Sequence, residues 1–154
     1  MKVIIQIPCF NEQDVLLAAL SDLPKDIKGI DDIEILIIDD GSKDNTVQVA
    51  KDFGVDHIVL ISENQGLANA YIQGIDLCLK AGADIIVNTD ADNQYRADDI
   101  ERLVKPILEK KAEIVIGTRP ISQTKHFSYL KKVLQKIGSW VVRYASGTDV
   151  KDAP

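Results

Sequence analysis

The chain has 154 residues, of which 45% are hydrophobic and 27% charged, and its formal net charge is −6. This is enough apolar material for one domain with a buried core, and it excludes a disordered or low-complexity protein. Apolar runs are far shorter than the ~20 residues that span a bilayer, and the chain opens on a predicted strand, so we expect neither a membrane span nor a signal peptide. Two cysteines, Cys9 and Cys78, make no disulfide framework, and we expect a cytoplasmic, reducing setting.

The charge is unevenly distributed along the chain. Residues 1–118 hold 11 basic and 22 acidic residues, whereas residues 119–148 hold six basic residues and no acidic one. The six basic residues are Arg119, Lys125, Lys131, Lys132, Lys136 and Arg143. Apolar residues fall near helical spacing from residue 128 to residue 144, which predicts an amphipathic helix. This basic segment is either a solvated helix face or a surface for phosphate groups or anionic lipid headgroups.

Runs of β-branched and apolar residues alternate with helical patterns along the chain. In chain order we predict strand 2–8, helix 13–20, strand 34–39, helix 46–53, strand 57–62, helix 67–81, strand 84–89, helix 97–111 and strand 113–118. The five strands are apolar on both faces, which is typical of strands covered by helices on both sides. The alternation predicts a mostly parallel, doubly wound α/β sheet in a single domain.

Polar residues follow each of the five predicted strands. In chain order they are Asn11 and Glu12, then Asp39 to Ser42 with Asp44, then Asn64 and Gly66, then Asp90, Asp92 and Gln94, and finally Arg119. Ligands of open parallel sheets bind at the carboxyl ends of the strands. A turn or a helix cap explains the polar residues of any one such loop. It does not explain why carboxylates and an arginine occur together at five strand ends.

Asp90 and Asp92 are two residues apart after a predicted buried strand, so their carboxylates can face the same side. Such a pair suits a hard divalent cation, Mg²⁺ or Mn²⁺, and leaves room for phosphate oxygens. A cation that bridges a diphosphate stabilises the charge that grows as the diphosphate leaves. The structural alternative is that Asp92 or Asn93 caps the following helix.

The segment Ile38 to Thr46 combines a sharp turn with carboxylates. Gly41 allows the turn, and Asp44 or Asn45 can cap the next helix. A carboxylate at this strand end can also accept hydrogen bonds from ribose hydroxyls or base N–H groups. The motifs GxGxxG and GxxxxGK[ST] are absent from the sequence, which excludes a standard NAD-binding fold and a P-loop NTPase.

Five motifs occur in the order found in one family of enzymes. They are PCFNE at 8–12, IDDGSKDNT at 38–46, NQG at 64–66, DADNQ at 90–94 and GTR at 117–119. On these motifs almost the whole chain resembles the inverting family 2 glycosyltransferases, and the spacing from 90 to 119 is most similar to the dolichol-phosphate mannosyltransferase-like branch. The resemblance implies a GT-A, Rossmann-like fold and hexose transfer from a GDP- or UDP-linked sugar to a polyprenyl phosphate.

The resemblance also implies roles for individual residues. The implied donor-binding residues are Pro8, Phe10, Asn11, Glu12, Ile38, Asp39, Asp40, Asn64, Gly66, Asp90, Ala91, Asp92, Gln94 and Arg119. Asp90 and Asp92 would hold the metal, with help from Gln94. The catalytic candidates are Asp92 and, where the acceptor is a sugar hydroxyl that needs a base, Asp152.

The same resemblance bears on the acceptor and on the end of the chain. Asp152 fits the approach to a Ser-Gly-Phe-Arg segment that is usual in the branch, so we expect a donor-binding half that is truncated before its acceptor side is complete. Lys131 and Lys132 stand where the branch usually has an Arg. A saccharide hydroxyl in cell-envelope polysaccharide synthesis is therefore the alternative acceptor. For the lipid acceptor we expect contact of residues 119–148 with the cytosolic face of a membrane, and we expect no nucleic-acid partner.

Three other classes of protein share parts of this pattern. A phosphate-receiver domain carries its acids on different strands, and a sugar-1-phosphate nucleotidyltransferase needs a Gly-rich Arg loop after the first strand, which is missing here. A non-catalytic nucleotide-sugar-binding module stays open as a description of this chain.

Overall fold

A computed structural model describes residues 1–92 and 96–117 of the chain. The chain divides after Val115 into two units, and every element given below lies in the unit Met1–Val115. The predicted helix at 128–144 lies outside the described residues, so the arrangement of residues 1–154 as one domain stays a prediction.

Four parallel strands alternate with helices in the described part of the chain. In order, the elements are β1 (Lys2–Cys9), α1 (Leu16–Asp22), β2 (Asp32–Asp39), α2 (Thr46–Phe53), β3 (His57–Leu60), α3 (Leu67–Lys80), β4 (Ile85–Asn88), a 3₁₀ turn (Ala97–Asp99) and α4 (Ile100–Leu108). The strand order is β3-β2-β1-β4, and every neighbouring pair is parallel. The order reverses between β1 and β4, and in open α/β sheets ligands bind at the carboxyl ends of the strands beside such a reversal.

Helices cover both faces of the sheet, as the apolar strands predict. Alternate residues of β1 point to opposite faces, and all of Val3 to Ile7 are fully buried. Val3, Ile5 and Ile7 pack in a core with α1, α2 and α4, whereas Ile4 packs in a second core with α3. A mostly parallel α/β sheet with helices on both faces is therefore confirmed. None of the described helices combines the length and the apolar character that crossing a bilayer requires.

One buried residue of β1 is polar, although its strand was predicted to be apolar on both faces. Gln6 is fully buried on the α3 side, and its Nε2 donates to Oδ1 of Asn88 in β4 at 3.2 Å. Gly74 of α3 lies directly over it, since a Cβ added at residue 74 would be 2.3 Å from Oε1 of Gln6. The missing side chain at residue 74 therefore lets α3 approach the buried amide. Cys78 lies in the same core, and burial raises the pKa of its thiol to about 11.

The predicted strand at 113–118 is wrong over the residues that the structure describes. Residues 113–117 form no strand, and the side chains of Ile114 and Ile116 are 80% and 81% exposed. An apolar run becomes a stable strand only where a neighbouring strand and a covering helix bury it, and among the described residues nothing covers these two side chains. The sequence pattern identifies the apolar residues but does not show whether a neighbouring strand and a helix will bury them.

A cluster of polar, hydrogen-bonded side chains joins the amino ends of three strands. Glu34 of β2 accepts from Nζ of Lys2 in β1 at 2.6 Å, and its other oxygen lies 2.7 Å from Nε2 of His57 in β3. These hydrogen bonds, from Lys2 first and His57 second, lower the pKa of the Glu34 carboxyl. The cluster lies at the opposite end of the strands from the polar loops.

Candidate functional site

Two loops at the carboxyl ends of β1 and β2 are tied together by hydrogen bonds. Three consecutive N–H groups of the first loop donate to side chains of the second. The bonds are Asn11 N to Ser42 Oγ (2.8 Å), Glu12 N to Thr46 Oγ1 (2.8 Å) and Gln13 N to Asp44 Oδ2 (3.2 Å). The residues of the first loop are thus held against the second loop, and α1 begins at Leu16, three residues later than predicted.

Two more hydrogen bonds run in the opposite direction between the same loops. Lys43 N donates to Oδ1 of Asn11 at 2.8 Å, and Asn45 N donates to Oε1 of Gln13 at 2.9 Å. Asn11 has a φ of 57°, a left-handed conformation that asparagine tolerates better than most residues. The predicted donor-binding residue Asn11 is therefore also a structural link between the two loops.

Asp44 organises the start of α2. Its Oδ1 accepts from both the N–H and the hydroxyl of Thr46, whereas the side chain of Asn45 makes no capping hydrogen bond. Of the two capping residues proposed from the sequence, Asp44 is the one that accepts. Burial alone would raise the pKa of Asp44, but the hydrogen bonds from Thr46 and Gln13 outweigh it and lower that pKa.

Asp39 presents a buried carboxylate oxygen to this edge of the sheet. The residue is 4% exposed, and its Oδ2 accepts from Ser42 N at 3.1 Å. Its Oδ1 is also buried, and no described residue donates a hydrogen bond to it. A buried polar atom without a partner is costly, so this oxygen is one that a bound water, ion or ligand would satisfy.

Asp40 joins the loop after β2 to the loop after β3. It is 4% exposed, and its two carboxylate oxygens accept from Gln65 N at 2.9 Å and Gly66 N at 2.8 Å. The loops also touch at Gly41, where an added Cβ would lie 2.8 Å from Asn64 N and φ is 78°. Both oxygens of Asp40 thus already accept a hydrogen bond, and its contact with a nucleoside stays a prediction.

Glu12 lies near acidic residues of two other loops. Burial raises the pKa of Glu12, and the negative charges of Asp92, Asp44 and Asp90, in that order, raise it further. Asp44 in the loop after β2, and Asp90 and Asp92 in the loop after β4, therefore lie close enough to Glu12 to act on its charge. These four carboxylates therefore lie in one region of the sheet edge, whereas their binding of a sugar donor stays a prediction.

Asp90 and Asp92 lie on either side of a residue that points into the core. Ala91 is 4% exposed and packs in the core with α1 and α4, while Asp90 is half-buried and Asp92 is exposed. Among the described residues, no group of three or more His, Cys, Asp or Glu side chains is arranged to hold a metal ion.

The other predicted site residues lie in different surroundings. Pro8 is half-buried in β1, and Phe10 beyond it is 42% exposed. Ile38 is fully buried, with its side chain in the core packed against α3. Asn64 is exposed, and Gly66 has a φ of 91°. Gln94, Arg119 and Asp152 lie outside the described residues.

Sequence reasoning missed the connecting roles of Ser42 and Thr46. It placed both in a turn followed by a helix, whereas their hydroxyls accept N–H groups from the loop after β1. The available signal was the polar pattern Ser-x-Asp-x-Thr at 42–46 directly after a strand, beside a second polar strand end.

This sheet order places the chain among the doubly wound α/β domains, which bind ligands at the carboxyl ends of their strands. The chain belongs to glycosyl transferase family 2, whose sequence profile, described as "Glycosyl transferase family 2", matches residues 4–148. The family predicted from the five motifs is thereby confirmed.

Relatives and a solved structure agree with this assignment. The chain is 31% identical over 149 residues to a UDP-N-acetylglucosamine–dolichyl-phosphate N-acetylglucosaminyltransferase of Methanococcus voltae, covering 86% of this chain and 57% of that protein. It is 30% identical over 159 residues to an undecaprenyl-phosphate mannosyltransferase of Micrococcus luteus, covering 99% of this chain and 63% of that protein. The chain thus spans less than two thirds of the length of these relatives.

The fold is similar to that of a glucosyl-3-phosphoglycerate synthase from Mycobacterium tuberculosis, solved with Mn²⁺, uridine diphosphate and glucosyl-3-phosphoglycerate. The TM-score is 0.56, the sequence identity is 22%, and the match covers 70% of this chain and 39% of that one. This similarity confirms the predicted GT-A fold.

Proposed function

We propose that this chain binds the nucleotide sugar of an inverting glycosyltransferase, which moves a hexose from a GDP- or UDP-linked donor to a polyprenyl phosphate. The observation that carries the proposal is the buried Oδ1 of Asp39, which no described residue satisfies, at the sheet edge where the carboxylates of Glu12, Asp90 and Asp92 converge. Membership of glycosyl transferase family 2 supports it.

The nucleoside is assigned to the loops after β1, β2 and β3. Oδ1 of Asp39 accepts a hydrogen bond from a ribose hydroxyl or a base N–H, and Glu12 supplies a second acceptor. Pro8 and the exposed ring of Phe10 line the apolar side of the pocket. Asp40 holds the loop that contains Asn64 and Gly66 against the loop after β2, which fixes the pocket's width.

The diphosphate and a divalent cation are assigned to Asp90 and Asp92. The donor set fits Mg²⁺ or Mn²⁺, because such an ion commonly takes one or two carboxylates and completes its coordination with phosphate oxygens and water. When bound, the cation supplies positive charge to the departing diphosphate. Gln94 is proposed as an additional ligand and Arg119 as a contact to the phosphates. The structure of the glucosyl-3-phosphoglycerate synthase contains Mn²⁺, which supports the choice of ion.

The proposed reaction is a single displacement. An oxygen of the polyprenyl phosphate attacks the anomeric carbon, the bond from that carbon to the diphosphate oxygen breaks, and the nucleoside diphosphate leaves with the bonding electrons. The anomeric configuration inverts because attack and departure occur on opposite faces. A phosphate acceptor is already an anion and needs no strong base, whereas a sugar hydroxyl would require one, with Asp152 as the candidate.

Two observations support a lipid phosphate as the acceptor. The relatives in Methanococcus voltae and Micrococcus luteus are named for dolichyl phosphate and undecaprenyl phosphate. The acid-free segment 119–148 supplies positive charge and apolar residues that suit an anionic membrane surface. We therefore propose that the protein works at the cytosolic face of a membrane.

Nucleotide binding is the test of this function. Isothermal titration of the 154-residue chain with GDP and with UDP, each in Mn²⁺ and in chelator, should show binding of one nucleotide that is much tighter with the metal. Turnover by a longer version that includes the acceptor side separates an enzyme from a non-catalytic binding module. Equal or undetectable binding of both nucleotides in Mn²⁺ would contradict the proposal.

A further inference from the structure

Thr46 links two residues of the site through its hydroxyl group. The side chain is fully buried at the first turn of α2. Its O–H donates to Oδ1 of Asp44, so the lone pairs of the same oxygen are left to accept Glu12 N at 2.8 Å. Asp44 also accepts the N–H of Thr46 at 2.9 Å, which holds the carboxylate in place. The orientation of the hydroxyl is thus fixed by the acid, and it fixes the amide of Glu12.

The main chain of Glu12 is held on both sides. Its N–H donates to Thr46, and its carbonyl accepts from Val15 N at 3.1 Å and Leu16 N at 2.9 Å at the start of α1. Neither peptide group of Glu12 can therefore turn without breaking a hydrogen bond. Only the side-chain torsions of this residue stay free to adjust to a ligand.

The environment of Glu12 explains why the restraint is needed. The carboxylates of Asp92, Asp44 and Asp90 all repel it. In the absence of a ligand this repulsion favours separation of the loop after β1 from the loop after β4. A hydrogen bond to a buried, oriented hydroxyl opposes that movement and keeps the loop in one conformation before the ligand arrives, which lowers the ordering cost of binding.

We propose that Thr46 is a positioning residue of the nucleotide-sugar site, whose hydroxyl, oriented by Asp44, holds the Glu12 main chain so that its carboxylate stays among the site's acids. The inference rests on the proposed function, because it takes Glu12 as a contact to the nucleotide. A purely structural alternative exists, in which Thr46 only stabilises the first turn of α2. The two hypotheses differ in whether the effect of a Thr46 substitution on nucleotide affinity depends on the Glu12 carboxylate.

The test is a double-mutant cycle between Thr46→Val and Glu12→Gln in the 154-residue chain, with titration of GDP and UDP in Mn²⁺. Thr46→Val keeps the size of the side chain and removes the hydroxyl. We expect it to weaken nucleotide binding about tenfold, the effect of losing one useful hydrogen bond, and to have much less effect in the Glu12→Gln background. Thr46→Ser should restore the parent affinity.

Ser42→Ala is the matched control. It removes a hydroxyl that accepts the neighbouring amide, Asn11 N, at the same distance of 2.8 Å. Its effect on nucleotide binding should add to that of Glu12→Gln, because it does not hold Glu12. Additive effects for Thr46→Val as well would overturn the proposal and leave Thr46 as a helix-stabilising residue.

Hydrogen exchange provides a readout that does not depend on the nucleotide. The amide of Glu12 should exchange faster in Thr46→Val than in the parent or in Ser42→Ala, and an unchanged rate would also overturn the proposal. If Thr46→Val fails to fold, Thr46→Ala removes the same hydroxyl without placing a methyl group against the Glu12 amide. If the folded parent binds neither nucleotide, the proposed function and this inference fall together, whereas binding that is insensitive to residue 46 overturns the inference alone.

Discussion

Asp39 accepts the N–H of Ser42 with only one of its two carboxylate oxygens, Oδ2, while Oδ1 is buried with no donor among the described residues. The adjacent Asp40 uses both of its oxygens on the loop after β3. We therefore expect substitution of Asp39 to affect mainly ligand binding and substitution of Asp40 to affect mainly the stability of the fold.

Asp39→Asn should weaken binding of nucleoside monophosphates and diphosphates alike, because it removes a charged acceptor from the nucleoside side of the site. A hydrogen bond to a charged group contributes roughly 1.5–3 kcal/mol, which corresponds to a loss of about ten- to a hundredfold in affinity. The free energy of unfolding should change little, since the side-chain oxygen of asparagine can still accept the hydrogen bond from Ser42 N. Titration calorimetry and urea denaturation measure the two effects, and unchanged affinity for the monophosphate would contradict the assignment.

Asp40→Asn should mainly destabilise the protein. An asparagine offers one acceptor oxygen, so one of the amides of Gln65 and Gly66 would face an NH₂ group instead of an acceptor. Leaving a buried donor unsatisfied costs about 1–3 kcal/mol, and urea denaturation should show a loss of this size. Asp26→Asn, at an exposed position, is the matched control. A variant as stable as the parent would mean that the loop does not depend on this carboxylate.

Asp92→Asn should abolish the metal dependence of nucleotide binding. The parent is expected to bind a nucleoside diphosphate much more tightly in Mg²⁺ or Mn²⁺ than in chelator, whereas the variant should bind equally weakly in both. Asp98→Asn, an exposed acid paired with Arg96, serves as the control and should keep the metal effect. Circular dichroism checks that both variants fold. An Asp92→Asn chain that still binds metal and nucleotide like the parent would remove the pair Asp90 and Asp92 from the metal assignment.

The hydrogen bonds of Glu34 with Lys2 and His57 should make the free energy of unfolding decrease at low pH. The pKa of Glu34 is lower in the folded protein than the ordinary value of 4.5, because Lys2 and His57 donate hydrogen bonds to its carboxylate. A depressed folded-state pKa contributes stability above the unfolded-state value, and this contribution is lost as the pH falls through the folded-state pKa. The difference in unfolding free energy between the parent and Glu34→Gln should therefore shrink from pH 7 to pH 3. A constant difference would exclude the cluster as a source of acid sensitivity.

The basic segment should bind anionic membranes. Vesicles of phosphatidylcholine with phosphatidylglycerol should retain the chain at low salt, with each basic residue near the surface contributing about 1 kcal/mol, and added salt should release it. Replacing Lys131, Lys132 and Lys136 together by Glu should remove the binding, while nucleotide affinity stays as in the parent. Absence of vesicle binding, together with transfer by a longer version to a soluble sugar, would favour the saccharide-hydroxyl acceptor.

The sequence predicts the sheet well where burial alone determines the structure. The strand that contains Val3 to Ile7 is central and covered on both faces, so its apolar run identifies it without further information. The run around Ile114 and Ile116 has the same composition but is exposed in the described residues, because a strand also needs a partner that the local pattern does not specify. Gln6 shows the converse case, a polar residue whose burial depends on Asn88 and Gly74 far along the chain.

The sequence predicts which loops form the site, but it does not predict which hydrogen bonds connect those loops. Polar residues at successive strand ends identify Glu12, Asp39 and Asp90 as neighbours, since parallel strands end at one edge. The register that sets Cys9 opposite Asp39 determines which hydroxyl meets which amide, and it cannot be deduced from either loop alone. For that reason Thr46 looks like an ordinary first residue of a helix until the two loops are placed side by side.

The close approach of α3 to the buried amide of Gln6 has a consequence for how this protein can change over evolutionary time. A methyl group at position 74 would overlap Oε1 of residue 6 and come within 2.9 Å of Ile38 Cδ1. Alanine at position 74 therefore requires either that the ends of the Gln6 and Ile38 side chains move within the core or that a shorter side chain replaces Gln6. Homologous sequences should accordingly show the two positions varying together, although they are 68 residues apart in the chain.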